Sequence, residues 1–152
     1  MRFHKILVPI DFSDHSLEAL RMASIFAAET GARLLLVHVW QPTPPLADGI
    51  AWGEVYAEQG EEAKRELNEI VPYRLDVECD RCVLVGDAAA EIVRMAEEQA
   101  VDMIVIGTHG RTGLTRLVLG SVAEHVMRRA PCPVLTCKLV EAKKGKEPVR
   151  HS

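Results

Sequence analysis

Nowhere in the 152 residues does a Gly-Lys-Ser or Gly-Lys-Thr close a phosphate loop, which argues against a P-loop NTPase. The turn after the first apolar run, Asp11-Phe12-Ser13-Asp14, holds no glycine. The dinucleotide fingerprint needs its glycines in that place, so hydride transfer of the usual design is not expected. No apolar run approaches the roughly 20 residues of a membrane span, and Ile6 to Ile10 is cut by Asp11 with no small-residue cleavage site after it. The sequence is therefore read as cytosolic, without a targeting segment or membrane contact. A surplus of positive charge is missing as well. The net charge of -4 gives no broad basic field to gather nucleic acid.

Cysteine is scarce, with four residues. Cys79 and Cys82 form a C-x-x-C, but a zinc ribbon wants a second close pair, and Cys132 and Cys137 are separated by four residues in another segment. In a strand, three-residue spacing sends two side chains to opposite faces. Reduced packing thiols are the expectation.

What is present is alternation. Lys5 to Ile10 reads as a strand, and Ser13 or Asp14 can cap a helix with Leu17, Leu20, Ser24, Ala27 and Ala28 on one face, stopped by Gly31. Arg33 to Trp40 reads as a strand buried on both sides. The span from Gln41 to Gly60 carries Pro42, Pro44, Pro45, Gly49, Gly53 and Gly60 and reads as a long surface loop. A charged helix from about Glu61 to Ile70 and an extended run from Tyr73 to Val85 follow. Asp87 caps the next helix, which buries Ile92, Val93 and Ala96 and turns Glu91, Glu97 and Glu98 to water. Asp102 to Ile106 is a fourth strand, Ser121 to Ala130 a helix with Val122, Ala123, Val126 and Ala130 on one face, and Pro133 to Lys138 a fifth strand. Residues 1–140 read as one domain, and 141–152, with Lys143, Lys144 and Lys146, as a mobile polar tail.

Strands alternating with helices make an α/β fold, a doubly wound, open, five-stranded parallel sheet with helices on both faces. Ligands of such sheets bind outside the carboxyl ends of the strands, where the strand order reverses. At one such end stands Gly107-Thr108-His109-Gly110-Arg111-Thr112-Gly113, with Gly120-Ser121 following Gly110 after nine intervening residues. Glycines let backbone N-H groups approach phosphate oxygens, Gly120-Ser121 opens a helix whose first N-H groups are unpaired, and Arg111 and Arg116 add positive charge. A ligand-free alternative stays open, because Ser121 and Glu124 have capping-box spacing.

The pattern Gly107-x2-Gly110-x9-Gly120-Ser121 resembles the ATP-binding motif of the universal stress protein family, Gly-x2-Gly-x9-Gly followed by Ser or Thr. Val8-Pro9-Ile10-Asp11-Phe12-Ser13 looks like that family's first strand and turn, Gly86-Asp87-Ala88 like its third loop, and Ala130-Pro131-Cys132-Pro133-Val134-Leu135 like its last strand. The likeness covers about His4 to Lys138. It implies sheet order 3-2-1-4-5, related to the adenine nucleotide alpha hydrolase-like folds, and a homodimer that binds ATP with Mg2+. It places Asp11 beside the adenosine, Pro9 and Val39 against the adenine, and Gly107, Gly110, Arg111, Gly120, Ser121 and Val122 on the phosphate side. Charge agrees at one point: a carboxylate accepts from ribose hydroxyls or an amine and repels phosphate, so Asp11 belongs at the other end of the ligand.

Catalysis has less support. An ATP hydrolase needs a group that positions water; His109 reads as a loop histidine pointing to solvent, with no carboxylate beside it to orient it, and His125 falls inside the last helix. The expectation is a nucleotide-dependent regulatory or sensor module in stress response, with hydrolysis at most slow. A ligand-free, chaperone-like dimer is the alternative, and an adenylate-handling enzyme on the same sheet a third reading. Trp40, Trp52 and Tyr56 either fold over an adenine or pack locally, with local packing expected because exposed aromatics are costly. The last strand, Val134 to Lys138, is expected at an exposed apolar edge that pairs with a second copy.

Overall fold

The computed structural model describes residues 2–42, 52–109 and 119–139. Five parallel strands, β1 (Lys5–Pro9), β2 (Arg33–Trp40), β3 (Cys79–Val85), β4 (Met103–Gly107) and β5 (Val134–Cys137), hydrogen-bond in the order β3-β2-β1-β4-β5. They alternate with α1 (Asp14–Thr30), α2 (Trp52–Glu69), α3 (Ala88–Glu98) and α4 (Ser121–Arg129). The chain leaves β1 toward β2 on one side and later returns to β4 on the other. The strand order therefore reverses between β1 and β4.

Strand alternation splits the core into two layers. Ile6, Val8, Ile10, Leu34, Leu36, Met103 and Val105 face α1 and α2, packing on Leu20, Ala23, Ala27 and Leu67. Leu7, Leu35, Val37, Ile104 and Ile106 face α3 and α4, packing on Ala89, Ile92, Ala96, Ala123 and Val126. Burial of both faces explains why the central strands read as unbroken apolar runs. Cys79 joins the first layer and Cys82 the second. Burial pushes the Cys79, Cys132 and Cys137 thiols above their ordinary range, which keeps them protonated packing groups.

Two expected boundaries move by several residues, and one buried face differs. The helix expected from Glu61 begins at Trp52 and passes through Gly53 and Gly60, so the breaker-rich loop ends earlier than expected. The prolines that forbid helix all precede it, and a helical glycine costs only about 1 kcal/mol. Tyr56 against Trp40, with buried Ala63 and Leu67, outweighs that cost. The extended run expected from Tyr73 is strand only from Cys79. Before it, the Tyr73 N-H donates to the buried Ser24 hydroxyl at 3.0 Å, and Arg81 donates to the Leu67 and Ile70 carbonyls at the end of α2. On α1 the buried stripe is Ser16, Ala19, Leu20, Ala23, Ser24 and Ala27, while Leu17 is exposed. Small residues let the helix lie close on the sheet.

The ends of α1 and α3 follow the sequence. Ser13 caps α1 by accepting the Ser16 N-H, Gly31 closes it at φ +77°, and Asp87 caps α3 by accepting the Ala90 N-H at 3.0 Å. Only glycine takes such a left-handed turn without steric cost. Among the described residues no helix is long and apolar enough to cross a membrane.

Candidate functional site

A cleft of about 480 Å³ opens at the carboxyl edge of the sheet, over the reversal between β1 and β4. Its volume falls within the range of small-ligand sites, about 300–1,000 Å³. Pro9, Val37 and Val39 form one wall with Ala88 and Ile92 of α3; Gly107, Thr108 and His109 lead across to Gly120 and the first turn of α4.

The turn after β1 is locked by its own side chains. Asp11 Oδ1 accepts the Ser13 N-H at 2.9 Å and the Ser13 hydroxyl proton, and the Ser16 hydroxyl donates to the Ser13 carbonyl at 3.0 Å. Between Asp11 and Ser13, Phe12 takes φ +66°, a conformation that costs a non-glycine residue about 1–2 kcal/mol. Its ring lies 4.7 Å from that of His38, whose Nδ1 donates to the Ile10 carbonyl at 2.7 Å. Asp11 is thus fixed at the cleft by the same bonds that start α1.

Two glycines serve close approach. A Cβ on Gly107 would meet the His15 backbone at 2.8 Å, and one on Gly120 would meet the Thr108 carbonyl oxygen at 2.9 Å. The Gly120 N-H donates to that oxygen at 2.6 Å, which ties the exit of β4 to the start of α4. Gly120 is the N-cap residue and supplies no side-chain bond, so Ser121 is the first helical residue. The capping box that the spacing of Ser121 and Glu124 left open as an alternative is not formed, because a residue already inside the helix cannot cap it. The first N-H groups of α4 lack intrahelical partners, and Ser121, Val122 and Ala123 border the cleft. Val122, expected on the buried face of α4, is exposed.

Of the residues expected at a site, Pro9, Asp11 and Val39 lie along the β1–β2 side, and Gly107, Gly120, Ser121 and Val122 along the α4 side, of this one cleft. Gly110 and Arg111, with Thr112, Gly113 and Arg116, lie outside the described residues, as do the Trp52 side chain and the tail from residue 140. Sequence reasoning missed Ala88 and Ile92, although the Asp87 cap marks a helix start at the same sheet edge. It misplaced His109. That ring packs 5.1 Å from the ring of His15 on α1, and its Nε2 is buried. Trp40 and Tyr56 meet edge to face at 6.1 Å and do not line the cleft. Among the described residues, no three His, Cys, Asp or Glu side chains converge as a metal site.

Fold and site together define a doubly wound α/β protein with a small-ligand cleft at its switch point. The chain belongs to the universal stress protein family, whose model matches residues 2–138. It is 39% identical to universal stress protein MJ0531 of Methanocaldococcus jannaschii over 90% of this chain and 82% of that one. It is also similar to the solved structure of MJ0577, with a TM-score of 0.82 and 30% identity over 93% of this chain and all of that one, a protein of the same organism. Two further solved relatives hold nucleotides. One is the Archaeoglobus fulgidus universal stress protein in complex with dAMP, at 27% identity and a TM-score of 0.63, covering 91% of this chain and 100% of that one. The other is a universal stress protein in complex with cAMP, at 26% identity and a TM-score of 0.59, covering 90% and 98%.

Proposed function

We propose that the cleft binds an adenine nucleotide, ATP in the working protein, and that the chain acts as a nucleotide-dependent regulatory module of the stress response in the cytoplasm. The observation that carries this reading is the polarity of one cleft. Its β1–β2 and α3 side carries an apolar surface of Pro9, Val37, Val39, Ala88 and Ile92 with Asp11 at its edge, and its far side ends on the first N-H groups of α4, which lack intrahelical partners. A purine wants the first surface and a phosphate the second. The dAMP and cAMP complexes of its relatives support the choice of adenine.

In this reading Pro9 and Val39 border the base, Asp11 accepts from the ribose hydroxyls, and Gly107, Gly110, Arg111, Gly120, Ser121 and Val122 hold the phosphate chain. Mg2+ sheds water reluctantly and is often carried by substrate phosphates, so it rides on the nucleotide and draws no protein cage. The role is binding, with hydrolysis at most slow. The ligand-free dimer loses its main support, since Ser121 is not a cap.

Titration calorimetry with ATP and Mg2+ tests the proposal. Wild type should bind, and Asp11→Ala should bind roughly tenfold or more weakly, the scale of a lost charged hydrogen bond. Absence of binding by wild type would sink the reading.

A further inference from the structure

His109, at the cleft, and its neighbour His15 on α1 have no part in the nucleotide contacts proposed above. His109 lines the cleft directly after Thr108, whose hydroxyl lies 3.0 Å from His109 Nδ1. His109 Nε2 and His15 Nδ1 are both buried, and neither has a hydrogen-bond partner among the described residues. The two rings tilt at 55° with centroids 5.1 Å apart. Close packing at Gly107 holds the His15 backbone there. Two neighbouring buried polar atoms without partners are uncommon in native proteins, and such groups often have a functional reason.

We propose that the His15–His109 pair is a proton-bearing element of the nucleotide site, taking up one proton from solvent as the phosphate chain docks at the start of α4. The inference rests on the nucleotide reading above. Imidazole is the side chain whose charge changes nearest neutral pH. An anion nearby favours its charged form, and the low polarity of a lined cleft strengthens that coupling. His15 sits in the first turn of α1, where the helix dipole opposes a cation; an incoming phosphate reverses the local field. With centroids 5.1 Å apart, two charged rings would repel, so the proposal allows one proton to the pair.

Other charged, thiol and hydroxyl groups stand on the same elements among the described residues. Asp11, at the same cleft, accepts from Ser13, and Asp14 and Glu18 lie along the start of α1, Glu18 paired with Arg21 at 2.6 Å. From the strands come the Thr108 hydroxyl and, beyond the Thr108 N-H bond to β5, Cys137, a thiol held protonated by burial. From α4 come the Ser121 hydroxyl and Glu124, the latter paired with Arg128 at 2.8 Å.

The test is titration calorimetry of the full chain with ATP and excess Mg2+, which keeps the triphosphate deprotonated, in buffers of different ionisation enthalpy between pH 6 and 8. Wild type should take up protons on binding, at most about one, and bind more tightly as pH falls, by up to about tenfold per unit. His15→Asn and His109→Gln should each lose most of the uptake and weaken binding more at pH 6 than at pH 8. If wild type binds ATP with no proton uptake, the pair is inert and the nucleotide reading survives. Uptake undiminished in both variants would assign the proton elsewhere and overturn the proposal. Failure of wild type to bind ATP at any pH would remove the nucleotide reading and this inference with it. Should one variant fail to fold, the other still decides the assignment, and absence of uptake by wild type overturns the proposal in either case.

Discussion

Gly107 and His15 meet backbone to backbone: a Cβ on Gly107 would stand 2.8 Å from both the carbonyl carbon and the carbonyl oxygen of His15. The last residue of β4 is a glycine because α1 starts against it, and this contact brings the β1 turn and the β4 exit to one cleft. In the sequence that glycine looks like part of a phosphate loop. In the structure it is first a packing residue.

Gly107→Ala should therefore destabilise the fold whether or not a ligand is bound. Neither the start of α1 nor the centre of the sheet can yield easily, and overpacking of this kind costs about 1–3 kcal/mol. Urea unfolding of the ligand-free protein measures it, and an unchanged midpoint would show that α1 gives way without cost.

Gly120→Val addresses the other close approach. The new Cβ would press on the Thr108 carbonyl oxygen, which already accepts the Gly120 N-H at 2.6 Å. Either that bond breaks or the start of α4 shifts away from the cleft. Affinity for ATP should fall by roughly tenfold or more, the equivalent of about 1.4 kcal/mol, as read by calorimetry. Unchanged affinity would separate α4 from the phosphate.

Asp102 gives the fold an acid-sensitive tie far from the site. Its carboxylate accepts the His4 and Lys5 N-H groups at 2.7 and 2.9 Å, and those bonds hold it below the usual carboxylate range. A lowered folded-state value means that the stabilisation is complete above the unfolded value, about 3.9, and is lost as pH falls through the folded one. Asp102→Asn should unfold more readily at pH 7 and show a shallower loss of stability below pH 4, followed by circular dichroism.

β5 lies at the sheet edge and pairs with β4 alone among the described strands. A dimer formed through Val134 to Lys138 should sediment as such at micromolar concentration, and a charged substitution at Thr136, half-buried on that edge, should shift it toward monomer. A monomeric wild type would contradict this assembly.

Periodicity made the sheet legible. Runs such as Arg33 to Trp40 are too short for buried helices and apolar on both faces, and caps such as Ser13 and Asp87 mark helix starts locally. The cleft was legible where it depends on a strand end, as at Gly107, while Pro9, Asp11 and Val39, which also line it, came from the family likeness. What stayed hidden depends on contacts distant in sequence. Trp40 supports a helix turn at Tyr56 that Gly53 and Gly60 alone would argue against, and His15 takes up the ring of His109 from 94 residues away. A loop histidine reads as solvated until its partner is known.

The central claim is that this cleft holds an adenine nucleotide. Denaturing release and chromatography of whatever accompanies the purified protein, followed by titration of the stripped chain with ATP and Mg2+, tests it most directly. The account predicts an adenine nucleotide in the released fraction or, failing that, saturable binding at one site per chain. No nucleotide released and no binding on addition would contradict it.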